Sequence, residues 1–303
     1  MSHGYTGCRV KKRFKDKLKE GKFLLTTEIG PPKGVSLDPV FEEVECVRGR
    51  VDAVNVTDQQ GAIMKLGSIA ASRALLERGF DPICQMTCRD RNRIALQSDL
   101  LSASALGIEN ILVMTGDHPL LGDHPGAKPV YDLDSVGLLH VIKELRNGHD
   151  LAGRELESRP DFCVGAVVNP GADPLEPEII KMEKKVSEGA QFFQTQAVFD
   201  IAGFERFIRS IRHLRGVIRL LGGIVPLRSA KMARYMNANI PGVFIPDTII
   251  EKMEKASDAA EEASVIAADI LAAIRDMCDG IHFMPIRANH LVARILDKSG
   301  FGA

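Results

Sequence analysis

Charge of one sign is what this sequence lacks. Its 39 lysines and arginines face 40 aspartates and glutamates, leaving a net charge of −1. Non-specific binding to nucleic acid or to an acidic membrane surface needs a basic field, so neither is expected. No uninterrupted apolar run is long enough to cross a bilayer. The first residues, MSHGYTGCRVKKRF, are basic but lack the apolar core of a secretory signal. Cysteine is sparse, six in 303 residues, which is no disulfide framework. Cys84 and Cys88 lie in DPICQMTC, which reads as a strand, and four residues along a strand span roughly 13 Å. That is too far for a disulfide. All six cysteines are expected as reduced thiols of a cytoplasmic protein. Neither G-x-G-x-x-G nor G-x-x-x-x-G-K-[ST] occurs, so the common dinucleotide and triphosphate loops are missing.

What is present is one recurring unit. A short apolar or β-branched run is followed by a polar or Gly/Pro break and then by a segment of helical period. Strand candidates fall at 23–29, 51–57, 81–87, 110–116, 162–169, 191–199, 219–225 and 280–286. Helix candidates follow them, among them DSVGLLHVIKELRNG and PEIIKMEKKVSEG, and many end in glycine, the usual C-cap. Strands apolar on both faces that alternate with helices form a parallel sheet covered by helices. Eight such units in about 300 residues predict an α/β fold, a closed (β/α)8 TIM barrel, rather than an open sheet. The seventh unit is oversized: TIIEKMEKASDAAEEASVIAADILAAIRDM predicts one or two extra helices before the last strand. No linker divides the chain, so residues 1–303 are expected to form a single domain.

In such a barrel chemistry belongs at the C-terminal ends of the strands. Those ends carry Glu28, Thr57, Thr87 followed by CRDRNR, Asp117, Asn169 with Asp173, Gln196, Pro226 and Arg287. Glu28 reads as a solvated loop acid or as a general acid, because partial burial disfavours the charged carboxylate. Asp117, in ILVMTGDHP, reads as a turn residue or as a carboxylate presented beside free N–H groups. The doubled GDHP, at 116–119 and 122–125, is better explained as turn chemistry than as a metal site, and no metal is expected. Gln194 and Gln196 are in phase with Phe192 and point into the barrel, where buried amides need partners. Lys184 and Lys185 on a helix flank read as a solvated face. Two acids, amide donors and basic residues suit a heterocyclic, anionic ligand and acid-assisted chemistry.

In order along the chain stand TTEIGPPKG, VNVTDQQG, QMTCRDRNR, ILVMTGDHP, VGAVVNPGAD and GAQFFQTQAVFD. This series resembles the motifs of methylenetetrahydrofolate reductases over about residues 20–295, and is most similar to the branch also found fused to homocysteine methyltransferase domains. The resemblance implies a (β/α)8 barrel with non-covalent FAD. It implies reduction of 5,10-methylenetetrahydrofolate to 5-methyltetrahydrofolate, a step of one-carbon metabolism that serves methionine biosynthesis. Glu28 falls on the family's general acid, which protonates N10 so that the five-membered ring opens. Asp117 falls on the aspartate beside pterin and flavin, and Gln196 on a glutamine that touches folate and nicotinamide by turns. Thr57, Asp58, Gln85, Thr115, Gly116, Asn169, Asp173, Lys181 and Lys185 fall on or near flavin contacts, the lysines facing the pyrophosphate.

The sequence departs from the family in places. Gln85 stands where many members have a histidine, and Asn169 and Asp173 replace a tyrosine and a histidine. The usual TLNR is MPIRAN, which makes Arg287, displaced by one position, the candidate for the folate glutamate tail. Ala230 falls where a phenylalanine closes over substrate, and aromatic residues are only 5% of the chain. The electron donor is therefore open among NADH, NADPH and an electron-donating or zinc-containing partner subunit, in a homo- or hetero-oligomer. A flavin-free pterin-binding barrel enzyme and a non-catalytic folate- or flavin-binding subunit are the competing readings.

Overall fold

The structure, a computed structural model, describes residues 12–301. The basic stretch before residue 12, and Cys8 with it, lies outside the described residues. Eight strands form: β1 (Leu24–Ile29), β2 (Ala53–Val56), β3 (Pro82–Thr87), β4 (Asn110–Met114), β5 (Cys163–Val168), β6 (Phe192–Ala197), β7 (Arg219–Ile224) and β8 (Gly280–Phe283). Each pairs in parallel with its neighbour in sequence, and β8 returns to β1, closing the barrel. All eight lie inside the ranges expected from the sequence. The last is cut short because Pro285 cannot donate to a ladder, and Ile286 and Arg287 turn away with φ of 47° and 63°.

The helices are α1 (Phe14–Lys19), α2 (Asp38–Glu45), α3 (Ser68–Glu77), α4 (Arg93–Ala105), α5 (Ser135–Asn147), α6 (Glu176–Ser187), α7 (Ile201–Ser210), α8 (Ala230–Asn239), α9 (Asp247–Lys255), α10 (Ala259–Ile274) and α11 (Asn289–Lys298). Side-chain caps fix several starts: Asn92 accepts from Ile94 and Ala95, and Asp134 from Gly137. The two extra helices of the seventh unit are α9 and α10. Among the described residues no helix is long and apolar enough to cross a membrane.

Two apolar cores result. The larger lies between strands and helices. The smaller fills the barrel at the N-terminal ends of the strands with Leu24, Ala53, Ile83, Leu112, Cys163, Phe192 and Leu221. Helix α1, which the sequence reading did not anticipate, closes that end. Its Phe14 is fully buried and meets Phe192 edge to face at 5.2 Å. Gly165 makes room for the same ring, since a Cβ there would fall 2.3 Å from Phe192 Cζ. The five described cysteines are unpaired. Burial pushes the Cys84 thiol up to about 11 and Cys88 to about 12, so neither is a thiolate at neutral pH.

Candidate active site

Above the apolar plug the barrel interior turns polar. Thr26, Asn55, Gln194 and His282 come from four strands, and all are buried. Asn55 Nδ2 donates to Gln194 Oε1 at 2.6 Å, and Gln194 Nε2 donates to Asn55 Oδ1 at 3.1 Å and to Thr26 Oγ1 at 3.3 Å. Thr26 Oγ1 lies 3.0 Å from His282 Nδ1. Thr26 Oγ1 also lies 3.5 Å from Ile281 O, so its single proton has two acceptors in reach, and the other ring nitrogen of His282, Nε2, is turned to the acid. That nitrogen lies 3.7 Å from Glu28 Oε2. A hydrogen-bonded series thus runs from the barrel axis to His282, whose ring approaches the acid at the end of β1.

Glu28 borders a cavity of about 390 Å³ at the C-terminal ends of the strands. Its side chain is 9% exposed, and Gln60 Nε2 stands 3.4 Å from Oε1. Asp58, Gln85, Thr115, Gly116, Asp117, Asn169, Lys181, Lys185 and Gln196 line the same cavity. Sequence positions up to 168 apart are thereby gathered in one place.

Each is held differently. Asp117 is exposed at the rim, on a turn where Gly116 has φ 93°. A Cβ on Gly116 would meet Thr87 Cβ at 3.0 Å, so the turn needs glycine on both counts. Tyr131 donates to the Gly116 carbonyl at 3.1 Å, and buried Arg89 donates to the Asp117 and Gln59 carbonyls at 3.3 and 3.2 Å. Asp58 Oδ2 accepts from Thr87 N at 2.8 Å, from Thr87 Oγ1 at 2.9 Å and from Arg91, so this oxygen is committed to the protein. The Asn169 side chain is likewise engaged, donating to Pro241 O and accepting from Gly171 N. Thr57 does not line the cavity, but its Oγ1 is buried without a partner.

Lys185 corrects the reading of a solvated lysine pair. Lys184 is exposed, whereas Lys185 is 3% exposed and donates to Val167 O at 2.6 Å. Burial lowers its pKa to about 8. Spacing alone could have shown this, because Lys185 shares a helix face with the buried Met182. Gln196 gains its place through a bulge: between Gln194↔Leu221 and Ala197↔Gly223 β6 carries one residue more than β7.

Besides Thr57, two more expected contacts are not gathered there. Asp173 is exposed and lines a second cavity of about 560 Å³ beside the β5 and β6 ends, with Phe199, Phe204 and Phe244. Arg287 is exposed on the loop after β8 and does not border the mouth cavity. The doubled GDHP pins loops together: Asp123 accepts from Met64 N at 3.0 Å and pairs with Lys33 and His124. Those bonds, the one from Lys33 foremost, hold its carboxyl well below the usual range. Among the described residues no cluster of three His, Cys, Asp or Glu could hold a metal. The sequence reading gave no role to His282, Thr26, Asn55 or Arg89, since apart from Gln194 it weighed residues at the strand ends. Alternation counted back two residues from Glu28 and Met284 would have found Thr26 and His282.

A closed (β/α)8 barrel with a polar cavity at the C-terminal ends of its strands is the class of this protein. The chain belongs to the methylenetetrahydrofolate reductase family, whose family model matches residues 13–300. It is 25% identical to methylenetetrahydrofolate reductase 2 of Schizosaccharomyces pombe, over 94% of this chain and 46% of the yeast protein. The chain thus spans about half the length of that relative. It is 26% identical to the 5,10-methylenetetrahydrofolate reductase of Salmonella typhimurium, over 83% of this chain and 80% of the other. Among solved structures, an uncharacterized Clostridium thermocellum protein that binds two copies of 5-methyl-5,6,7,8-tetrahydrofolic acid superposes with a TM-score of 0.64. It shares 15% identity over 95% of this chain and 98% of that one, a likeness of fold.

Proposed function

We propose that this barrel reduces 5,10-methylenetetrahydrofolate to 5-methyltetrahydrofolate in the mouth cavity, with non-covalent FAD and with Glu28 as general acid. The observation that carries the reading is the buried Glu28 carboxyl, next to His282 and facing a cavity shared with Asp117 and Gln196. Family membership and the methyltetrahydrofolate bound by the Clostridium protein support the substrate class.

The residues present fit a flavin nucleotide. Lys185 is a buried cation at the cavity wall. Gln85, Thr115 and the turn at Gly116 offer the polar edge that a flavin ring needs, and Lys181 with Lys185 offer charge to its pyrophosphate. When bound, FAD supplies the hydride.

The chain's own residues do the rest. Glu28 holds a proton at the end of β1 and delivers it to N10, which opens the five-membered ring and exposes an iminium carbon. His282 Nε2 faces the carboxylate left behind, and Gln60 steadies its other oxygen. Asp117 at the rim places a negative charge near the iminium cation. Gln196, whose Oε1 already accepts from Ala197 N at 3.0 Å, has its amide N–H groups free for the pterin or for a nicotinamide. The five described cysteines, all unpaired, accord with a reducing, cytoplasmic setting. NADH, NADPH or a partner subunit supplies the electrons.

The test is an absorption spectrum of the purified chain before and after 5-methyltetrahydrofolate is added without oxygen. Flavin bands that bleach on addition are the expected result. A colourless protein that still reduces the methylene compound would overturn the flavin assignment, and bands that do not respond would overturn the folate assignment.

A further inference from the structure

The acid at the end of β1 stands where the barrel wall is incomplete. Leu25 and Ile29 turn their carbonyls to β2, where they accept from Asp52 N and Thr57 N. The carbonyls of Thr26 and Glu28 therefore face β8. The β1–β8 register, Leu24↔Gly280 to Thr26↔His282, ends before Glu28. Continued by one more pair of residues, the ladder would satisfy the Glu28 carbonyl with the N–H of residue 285. That residue is Pro285, which has none. A buried strand end with an orphaned carbonyl would be free to peel from the wall.

Asn289 fills the gap. It is fully buried at the start of α11. Its Nδ2 donates to Glu28 O at 3.1 Å and to Glu43 Oε1 at 2.9 Å, and its Oδ1 accepts from Thr27 Oγ1 at 2.5 Å. Both N–H groups and the oxygen of one amide are thus used, and an apolar side chain could replace none of them. Glu43, half-buried on α2, points the amide by accepting its second proton. The left-handed Ile286 and Arg287 make the turn that returns the chain from β8 to this position.

We infer that Asn289 is a positioning residue for Glu28: it supplies the donor that Pro285 withholds and so fixes the height of the carboxyl in the cavity, with Glu43 orienting its amide. The inference rests on the reading of Glu28 as the general acid. Proton delivery depends steeply on placement, and a shift of about 1 Å can cost about 100-fold in rate. Asn289 does not line the mouth cavity, so its loss is expected to act on turnover rather than on binding.

The experiment uses the full flavin-loaded chain and four variants: Asn289→Ala, Glu43→Ala, Glu43→Gln and Glu28→Gln. It reads single-turnover folate reduction, the dissociation constant for 5-methyltetrahydrofolate, the melting temperature, and hydrogen exchange at the end of β1. Asn289→Ala is expected to slow reduction about 10–100-fold, with ligand affinity within about twofold of the parent and faster exchange at Ile29 and Gly30. Glu43→Ala is expected to show the same pattern at about threefold, and Glu43→Gln, which keeps the acceptor, to restore the parent rate. If Asn289→Ala does not fold, the Glu43 pair decides. Folded Ala variants that turn over like the parent, while Glu28→Gln does not, would overturn the inference alone. Glu43→Gln failing like Glu43→Ala would also overturn it, because charge and not amide orientation would then be at work. A Glu28→Gln chain with the parent's rate would remove the acid reading and this inference together.

Discussion

The two ends of the barrel interior are built from the same strands, two residues apart. At the N-terminal end the inward positions are Leu24, Ala53, Ile83, Phe192 and Leu221. One step up they are Thr26, Asn55, Gln85, Gln194 and Gly223, and then comes Glu28 with Gln196. The lower layer needs only volume, and α1 supplies what is missing with Phe14. The upper layer needs a partner for every polar atom, and Asn55, Gln194, Thr26 and His282 provide these for one another. Stability is concentrated below and reactive groups above, within one continuous sheet.

The largest effect that tests this division is on chemistry. Glu28→Gln should lose about 10²–10⁴-fold in folate reduction, as for a lost general acid. Its melting temperature should be close to the parent's, since Gln keeps the volume. Near-normal single-turnover reduction would show that the acid lies elsewhere.

Next comes the lower end. Phe14→Ala removes a fully buried ring that plugs the barrel, and should cost about 3–5 kcal/mol of stability. Denaturant titration measures this. Folate reduction per folded molecule should be unchanged. A large loss of turnover in the folded fraction would mean that the two ends are coupled, contrary to the division drawn above.

The smallest effect concerns Lys185, which like Arg89 is buried at the wall of the mouth cavity. In the folded chain the Lys185 pKa lies at about 8, below its ordinary 10.5. Between those values the unfolded chain binds the extra proton, so this group makes stability rise with pH across that window. Below about pH 8 the buried charge is a burden of up to about 3 kcal/mol. Lys185→Met should therefore be more stable than the parent at pH 7, with the difference shrinking towards pH 10, and should hold flavin more weakly. Flavin affinity of the parent should fall as pH rises through about 8, because binding an anion there requires the protonated amine. A Met variant less stable at pH 7 would show that the bond to Val167 O outweighs the burial of charge.

The electron donor depends on the rim. Ala230 lies in the outer core rather than on the mouth cavity. Phe199 lines the second cavity and Met232 packs against the outer core, so neither of these larger side chains borders the mouth to stack on a nicotinamide. Among the described residues that line it there is no Phe, Tyr or Trp. Slow oxidation of NADH by the isolated chain follows from this, and stopped-flow bleaching of the flavin by NADH alone measures it. Fast, saturable bleaching would show that another surface clamps the nicotinamide.

By itself the sequence determined the eight strands, the closure into a barrel, the presence of extra helices before the last strand and the carboxylate at the end of β1. Those features are local: strands buried on both faces are short apolar runs, helices have their own period, and Gly, Pro and capping residues mark the breaks. Only the tertiary structure decided that Lys185 is buried, that Asp58 Oδ2 and the Asn169 amide are engaged by the protein, and that Asp173 faces another cavity. It alone joined His282 to Thr26 and Asn289 to Glu28, pairs 256 and 261 residues apart. The reason is physical. A backbone pattern sets which way a side chain points, but the partner it meets is chosen when β8 closes against β1. At that seam a proline two residues past the strand leaves a carbonyl that only a distant asparagine can satisfy.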